Sequence, residues 1–292
     1  MPVISDELIA RIEKYHLKTR SIVEGFMVGL HKSPYHGFSV EFADHRQYIP
    51  GDPVRNVDWK LYAKTDRFYL KRYEEETNVR CYLLVDHSLS MSYGSGGTTK
   101  FDYARQLAAA LSYLIMNQKD AVGLITFADE ITNHLPPKAF NGYLNVIFDI
   151  LLSIEPISTT NTLNALHAAA ESLKKRSLII LLTDLLDEPE KLIAGLKHFR
   201  FNHHEVLVFH IIDKEEQEFN FRSETQFIDS ETKKHVTVNP WQIRNDYRSE
   251  FKKYADSIKE ECFRSGIEYN PIDTSVPIED NLLRYLHKRS LY

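Results

Sequence analysis

Apolar and polar positions form a pattern that predicts strands and helices in alternation over most of the chain. Continuous apolar runs such as Cys81–Val85 and Leu178–Leu182 are typical of parallel strands that are buried on both faces. Segments with apolar residues every three or four positions lie between these runs and predict helices. The predicted strands cover 81–86, 121–127, 131–135, 177–184, 205–213 and 267–272. The predicted helices cover 101–117, 140–152, 163–175, 188–199, 241–264 and 278–289.

This alternation predicts an α/β fold, a doubly wound and mostly parallel sheet with Rossmann-type layering and helices on both faces. Residues 131–135 are expected to pair with the preceding strand as an antiparallel edge. Residues 214–239 interrupt the alternation with short extended segments, so we expect a β-hairpin insertion there.

Residues 1–77 show a different pattern and are predicted to form an N-terminal α+β module. The predicted elements are helices at 5–17, 20–30 and 54–64 and extended segments at 38–42 and 67–78. Residues 78–292 then form the main α/β domain.

Composition narrows the class of protein. Of the 292 residues, 43% are hydrophobic and 12% are aromatic, which is typical of folded chains and not of disordered ones. The net charge of −5 argues against nucleic acid as the main partner, because binding phosphates needs a basic surface. Two cysteines cannot form a disulfide framework, and no signal peptide or 18-residue apolar span is visible. We therefore expect a cytoplasmic protein that does not insert into membranes.

Oxygen-bearing side chains follow two of the predicted central strands. Asp86, Ser88 and Ser90 end the first of these strands, and Asp184 ends the second. Ligand sites in open α/β sheets lie beyond the carboxyl ends of the strands, so both carboxylates are expected in one crevice. The hydroxyl-rich loop 158–162 could complete an oxygen shell, and carboxylates with hydroxyls favour Mg²⁺ or Mn²⁺.

Two alternatives remain open on these residues alone. Asp and Ser also cap helices and form turns, so Asp86 and Asp184 could be purely structural. Asp86 could instead be the nucleophile of a Mg²⁺-dependent phosphohydrolase. That chemistry usually needs an acid two residues later, and position 88 is a serine.

The same residues resemble the metal-ion-dependent adhesion site of von Willebrand factor A-type domains, which reads Asp-x-Ser-x-Ser, then Thr, then Asp. Asp86, Ser88 and Ser90 match the first element, and Asp184 matches the last. Thr160 best matches the threonine, although Thr159 and Thr162 are alternatives.

The resemblance implies that the hydroxyls bind a cation and that a carboxylate from a partner protein completes its shell. The glycines common before the threonine and after the second aspartate are Thr159 and Leu185 here, which affects loop geometry and leaves the ligating oxygens intact.

A second resemblance lies upstream. The block 42–60, FADHRQYIPGDPVRNVDWK, is similar to the signature of a bacterial domain-of-unknown-function family that joins it to an A-type domain. The similarity continues through Ala63–Thr65 and Tyr73–Glu76 and covers roughly residues 29–212. Members are commonly encoded beside MoxR-type AAA+ ATPases. The resemblance therefore implies a non-enzymatic partner of such an ATPase, in a chaperone-like or complex-assembly role.

Together these features predict a cation-dependent protein-interaction module. Mg²⁺ or Mn²⁺ is expected on Asp86, Ser88, Ser90 and Thr160, with Asp184 bound to a metal water or to the metal itself. A MoxR-type ATPase, or another protein, would supply a Glu or Asp to the open position. His87 and Leu89 are expected to flank the site and contact that partner.

Overall fold

The structure is a computed structural model. It describes residues 39–49, 52, 57–76, 79–140, 142–157, 162–187, 189–221, 224–228 and 234–290. These residues belong to two compact units, one within 39–76 and the other from Val79 onwards.

The first unit is a two-stranded antiparallel sheet with one short helix. Strand β1 (Ser39–Gln47) pairs with β2 (Tyr69–Glu76), and helix α1 (Trp59–Thr65) lies between them in the chain. The carboxylate of Asp58 caps α1 by accepting hydrogen bonds from the backbone amides of the helix's first turn. The predicted helices at 5–17 and 20–30 and the boundary at residue 77 lie outside the described residues, so this division stays a prediction.

The second unit is built on a six-stranded sheet. Its strands are β3 (Arg80–Asp86), β4 (Ala121–Phe127), β5 (Ile131–Lys138), β6 (Leu178–Thr183), β7 (Glu205–Ile212) and β10 (Glu268–Asp273). Between the last two, β8 (Thr225–Ile228) and β9 (His235–Val238) form a separate antiparallel hairpin within the predicted insertion.

The order of strands in the sheet is β10-β7-β6-β3-β4-β5. All neighbouring pairs are parallel except β4 and β5, where the edge strand runs antiparallel as predicted. After β3 the chain forms β4 and β5 on one side of β3, and it then forms β6, β7 and β10 on the other side. The carboxyl ends of β3 and β6 therefore border the crevice where such sheets bind ligands.

Helices cover both faces of this sheet. The helices are α2 (Lys100–Asn117), α3 (Tyr143–Ser153), α4 (Thr162–Ser172), α5 (Pro189–Phe201), α6 (Lys214–Glu218), α7 (Pro240–Arg264) and α8 (Ile278–Ser290). Side chains of α4, α5 and α7 pack with one set of strand side chains, which includes Leu84 and Leu181. The other face is covered by α2 and α8, and the ring of Phe209 lies 5.0 Å from that of Tyr285. The doubly wound, mostly parallel α/β sheet is therefore confirmed.

Candidate metal centre

The side chain of Asp86 lies at the carboxyl end of β3, almost completely buried. Its Oδ1 accepts a hydrogen bond from the Ser88 amide at 2.8 Å, and its Oδ2 accepts one from the Thr183 hydroxyl at 2.6 Å. Thr183 ends the neighbouring strand β6, so this bond ties together the two strand ends that border the crevice. The sequence prediction did not include Thr183, although its position beside Asp184 was a usable signal.

Two hydroxyls lie next to this carboxylate. The Oγ atoms of Ser88 and Ser90 are 3.0 Å apart, so the chain turns here to bring alternate serines together. Ser88 is buried, whereas Ser90 lies in the short 3-10 helix Leu89–Ser92 and is half-buried. The structure thus brings Asp86, Ser88 and Ser90 to one place.

Lys100 is the main residue that the sequence prediction missed. Its ammonium is fully buried and donates to Asp184 Oδ2 at 2.9 Å and to the two carboxylate oxygens of Glu216 at 2.7 and 2.9 Å. A signal for Lys100 existed, because its spacing from Tyr103, Leu107, Leu111 and Leu114 puts it on the buried stripe of α2. Glu216 lies in the five-residue helix α6 and carried no such signal.

The charges of this cluster perturb one another. Burial, followed by repulsion from Asp184, raises the pKa of Asp86 to about 6 against the hydrogen bonds from Thr183 and Ser88. Burial opposes the charge of Lys100, but Asp184 and Glu216 more than offset it and raise the pKa of Lys100. Burial lowers the pKa of His210 to about 4, so its ring adds no positive charge at neutral pH.

The loop after β6 is held in an unusual conformation. Leu185 has a φ of 55°, in the left-handed region that favours glycine, and its side chain is buried in the core. Tyr254 of α7 donates its hydroxyl to the backbone carbonyls of Leu185 and Asp187. The leucine therefore takes the conformation that a glycine would allow, and burial of its side chain offsets the strain.

The two predicted partner-binding residues differ in position. His87 is only 2% exposed, and its ring nitrogens contact the Glu155 carbonyl at 3.0 Å and the Thr132 hydroxyl at 2.8 Å. This burial argues against the predicted partner contact by His87. Leu89, two residues further along the chain, is half-buried. More exposed apolar side chains near the site are Ile157 at 41%, which bridges to Ser88, and Leu186 at 50%, whose amide donates to Asp184.

The predicted threonine ligand has three candidates. Thr159 and Thr160 lie outside the described residues, and Thr162 begins α4 without a described side chain. Its role therefore stays a prediction.

The described residues fit a divalent cation by their charge and their donor atoms. In their ionised forms, the carboxylates of Asp86, Asp184 and Glu216 carry three negative charges against the single positive charge of Lys100. Asp86, Asp184 and Lys100 are buried and the Glu216 side chain is 20% exposed, so most of the remaining charge of −2 lies away from solvent, where uncompensated charge is costly. Within the described parts of the chain, no three His, Cys, Asp or Glu side chains group as a metal site would need. A cation here would depend on the serine hydroxyls as well, which are ligands that suit Mg²⁺.

Comparison with known proteins identifies the family. The family described as "Protein of unknown function DUF58" matches residues 44–259, about three quarters of the chain. The chain belongs to the DUF58 family. The predicted membership of a bacterial domain-of-unknown-function family is thereby confirmed. Two relatives of the DUF58 chain are the uncharacterized proteins Mb1516 of Mycobacterium bovis and Rv1480 of Mycobacterium tuberculosis. Each is 22% identical over 252 residues, which cover 82% of this chain and 77% of the relative.

Solved structures show the fold of the DUF58 chain. An aerotolerance-related membrane protein from Bacteroides fragilis NCTC 9343 aligns with a TM-score of 0.50 at 18% identity, covering 72% of this chain and 99% of that one. BatB from Bacteroides thetaiotaomicron aligns at 0.49 and 18% identity, covering 73% and 100%. The SpRpn10 VWA domain aligns at 0.41 and 13% identity, covering 71% and 95%. Together with the strand order, the first likeness confirms the predicted α/β fold of the von Willebrand factor A-like type.

The prediction of a cytoplasmic location is contradicted. The first solved neighbour, at a TM-score of 0.50 and 18% identity, is an aerotolerance-related membrane protein. The prediction was wrong because the composition of a domain shows only that its surface is in contact with water. It does not show in which compartment the protein lies or whether it is bound to a membrane. Among the described residues, no helix combines the length and the apolar character needed to cross a membrane.

Proposed function

We propose that this DUF58 chain is a non-enzymatic protein-interaction module whose contact with a partner depends on Mg²⁺ or Mn²⁺ at the carboxyl end of the sheet. The observation that carries the proposal is the largely buried charge of −2 on Asp86, Asp184, Glu216 and Lys100, next to paired serine hydroxyls. A divalent cation would neutralise this charge. A loop that only capped helices at the solvent-exposed surface would not need such neutralisation, because water would solvate its charges.

The residues divide into two groups by their contacts. Asp86, Ser88 and Ser90, with Thr160, are the proposed ligands. Asp184 Oδ2 already accepts a hydrogen bond from Lys100. This favours the second of the two predicted roles of Asp184, in which it hydrogen-bonds to a metal-bound water and does not bind the metal directly. When bound, the cation supplies an open coordination position for a carboxylate from another protein.

The surroundings of the site support a protein as the ligand. Ile157 and Leu186 are large, exposed apolar side chains directly beside Ser88 and Asp184. Apolar contacts around a central polar anchor are typical of protein interfaces. We propose a Glu or Asp of a MoxR-type AAA+ ATPase as the anchor, in a chaperone-like or complex-assembly role, on the strength of the family resemblance.

The phosphohydrolase alternative has less support. Both carboxylate oxygens of Asp86 accept hydrogen bonds inside the protein, one from the Ser88 amide and one from the Thr183 hydroxyl, which leaves neither oxygen free of a protein partner for nucleophilic attack. Position 88, where a general acid would be expected, is Ser88 with its Oγ against Ser90.

The decisive experiment measures binding of a purified MoxR-type ATPase from the same source, with Mg²⁺ and with EDTA. We expect Asp86→Ala to weaken Mg²⁺-dependent binding more than about 100-fold, because it removes a ligand, whereas outer-shell changes cost 10–100-fold. Glu171→Ala, a change of an exposed acid on α4, is the matched control and should bind as the unmodified chain does. Binding that is indifferent to EDTA and to Asp86→Ala would refute the cation dependence.

A second measurement tests the cation without any partner. Mg²⁺ at about 100 times its dissociation constant should add about 2.7 kcal/mol to the free energy of unfolding, seen as a rise in melting temperature. An absent shift, with no anomalous-scattering peak near Asp86 in Mn²⁺-soaked crystals, would favour the purely structural alternative. Hydrolysis of a generic phosphate ester that depends on Asp86 would favour the phosphohydrolase.

A further inference from the structure

Lys100 is placed in a way that the metal ligands do not require. Its ammonium has no exposed surface and lies between Asp184, which follows β6, and Glu216 of α6. A buried lysine is stable only if its charge is paired, and here two carboxylates pair it. One carboxylate would have been enough for that purpose, so the second one changes the charge of the whole cluster.

The sum of charges has a consequence for what the site can bind. The three carboxylates and Lys100 sum to −2, and a divalent cation brings the cluster to zero. With a neutral residue at position 100 the loaded cluster would stay at −1 and would repel an incoming carboxylate. Such repulsion is strong in a buried site, because the effective dielectric constant is well below that of water.

We propose that Lys100 is a specificity-determining residue that sets the cation-loaded site to neutrality, so that the site accepts a carboxylate ligand. The inference rests on the proposed function and assigns separate roles to the ligands and to the Lys100–Glu216 pair. The ligands hold the cation, while the Lys100–Glu216 pair adjusts the balance between binding the cation and binding the acid. Each change of charge therefore acts on the two affinities in opposite directions.

The expected effects follow from electrostatics. Lys100→Met leaves more negative charge, so cation affinity should rise while carboxylate affinity of the loaded site falls by roughly tenfold. Glu216→Gln removes negative charge, so cation affinity should fall and carboxylate affinity should rise by a similar factor. The double variant has the same sum of charges as the unmodified chain and should restore both affinities toward their original values.

The experiment uses the full chain with Mn²⁺ as the cation and acetate as the carboxylate. Electron paramagnetic resonance of free Mn²⁺ gives the cation affinity, and the relaxation of water protons by bound Mn²⁺ reports acetate entering the shell. Lys175→Met changes an exposed lysine just before β6, at the opposite end of the sheet, and serves as the matched control. It should leave both affinities unchanged. Glu216 is 20% exposed by its side chain, so Glu216→Gln keeps the test available if Lys100→Met fails to fold.

Opposite shifts in the two affinities, with recovery in the double variant, would support the proposal. Parallel losses in both single variants, and a larger loss in the double variant, would overturn it and assign the pair to stability alone. In that case the proposed function stands, because the unmodified chain still binds Mn²⁺. If the unmodified chain binds no Mn²⁺, the proposed function fails first and the inference fails with it.

Discussion

Two buried aspartates at opposite ends of the same pair of strands share a raised pKa but differ in the side chains that surround them. Asp86 ends β3, whereas Asp120 directly precedes β4, whose first residue pairs with the first residue of β3. Burial raises the pKa of both carboxyls, to about 6 for Asp86 and to about 7 for Asp120. Asp120, which has the larger pKa shift, lies outside the candidate site.

The surroundings explain the difference. Asp120 accepts a hydrogen bond from the Val79 amide at 3.0 Å, which fixes the chain as it enters β3. Asp86 lies instead among a second carboxylate, two hydroxyls and a strand end from across the crevice. A shifted pKa therefore marks burial at both ends of the sheet, and only the grouping of donors and charges marks a candidate site.

The first and largest prediction concerns Asp120. The pKa of Asp120 is higher in the folded chain than in the unfolded chain, so its stabilising contribution is complete below about pH 4 and is lost as pH rises to about 7. Asp120→Asn keeps an acceptor for the Val79 amide and removes the charge. We expect it to raise the free energy of unfolding by about 3–4 kcal/mol at pH 8 and to leave it nearly unchanged at pH 4. Chemical denaturation across pH 4–8 measures this.

Asp149→Asn changes an exposed aspartate on α3 and should alter the pH dependence little, which makes it the control. An equal gain at pH 4 and pH 8 from Asp120→Asn would contradict the assignment of the effect to its charge.

Much of this architecture could be predicted from the sequence, because its cause is local. The apolar runs at Cys81–Val85 and Leu178–Leu182 bury both faces of central strands, and the pattern alone locates them. The alternation of strands and helices predicted a mostly parallel sheet in which the strands ending at Asp86 and Asp184 could be neighbours, and β3 and β6 do pair. The antiparallel edge and the hairpin insertion were also predictable from short alternating segments.

What the sequence did not reveal depends on contacts between distant segments. Lys100 and Glu216 are 116 residues apart, and no spacing rule connects them. His87 is buried and contacts Thr132 and Glu155, which belong to other segments, so its position beside Asp86 in the sequence did not reveal this burial. Local sequence motifs therefore indicated which residues lie near the site, but they did not show which side chains are buried or which distant residues they contact.

The second prediction compares Asp86 with Asp120 directly. Asp86→Asn also removes a buried charge whose pKa is raised, so in EDTA at pH 8 it should add about 2–3 kcal/mol to the free energy of unfolding. This gain in the free energy of unfolding disappears below about pH 4, where Asp86 is protonated in both the folded and the unfolded state of the unmodified chain.

With Mg²⁺ the order of the two stabilities should reverse, because the cation should stabilise the unmodified chain and should not stabilise Asp86→Asn. Asp120→Asn is the control here and should keep the full response to Mg²⁺. A response to Mg²⁺ that survives in Asp86→Asn would remove the distinction between the two aspartates.

The smallest effect on stability is expected at the surface, where the two ends of the sheet each expose a large apolar side chain. Leu186 is 50% exposed beside Asp184, and Phe201 is 80% exposed at the end of α5, before β7 begins. Replacing either with serine should change the free energy of unfolding by less than about 0.5 kcal/mol, since surface substitutions rarely cost more. Only Leu186→Ser should weaken binding of the ATPase, by about fivefold to tenfold, because it alone borders the proposed anchor. Titration of each variant with the ATPase in Mg²⁺ measures this, and equal losses in both would place the partner contact elsewhere than at the metal centre.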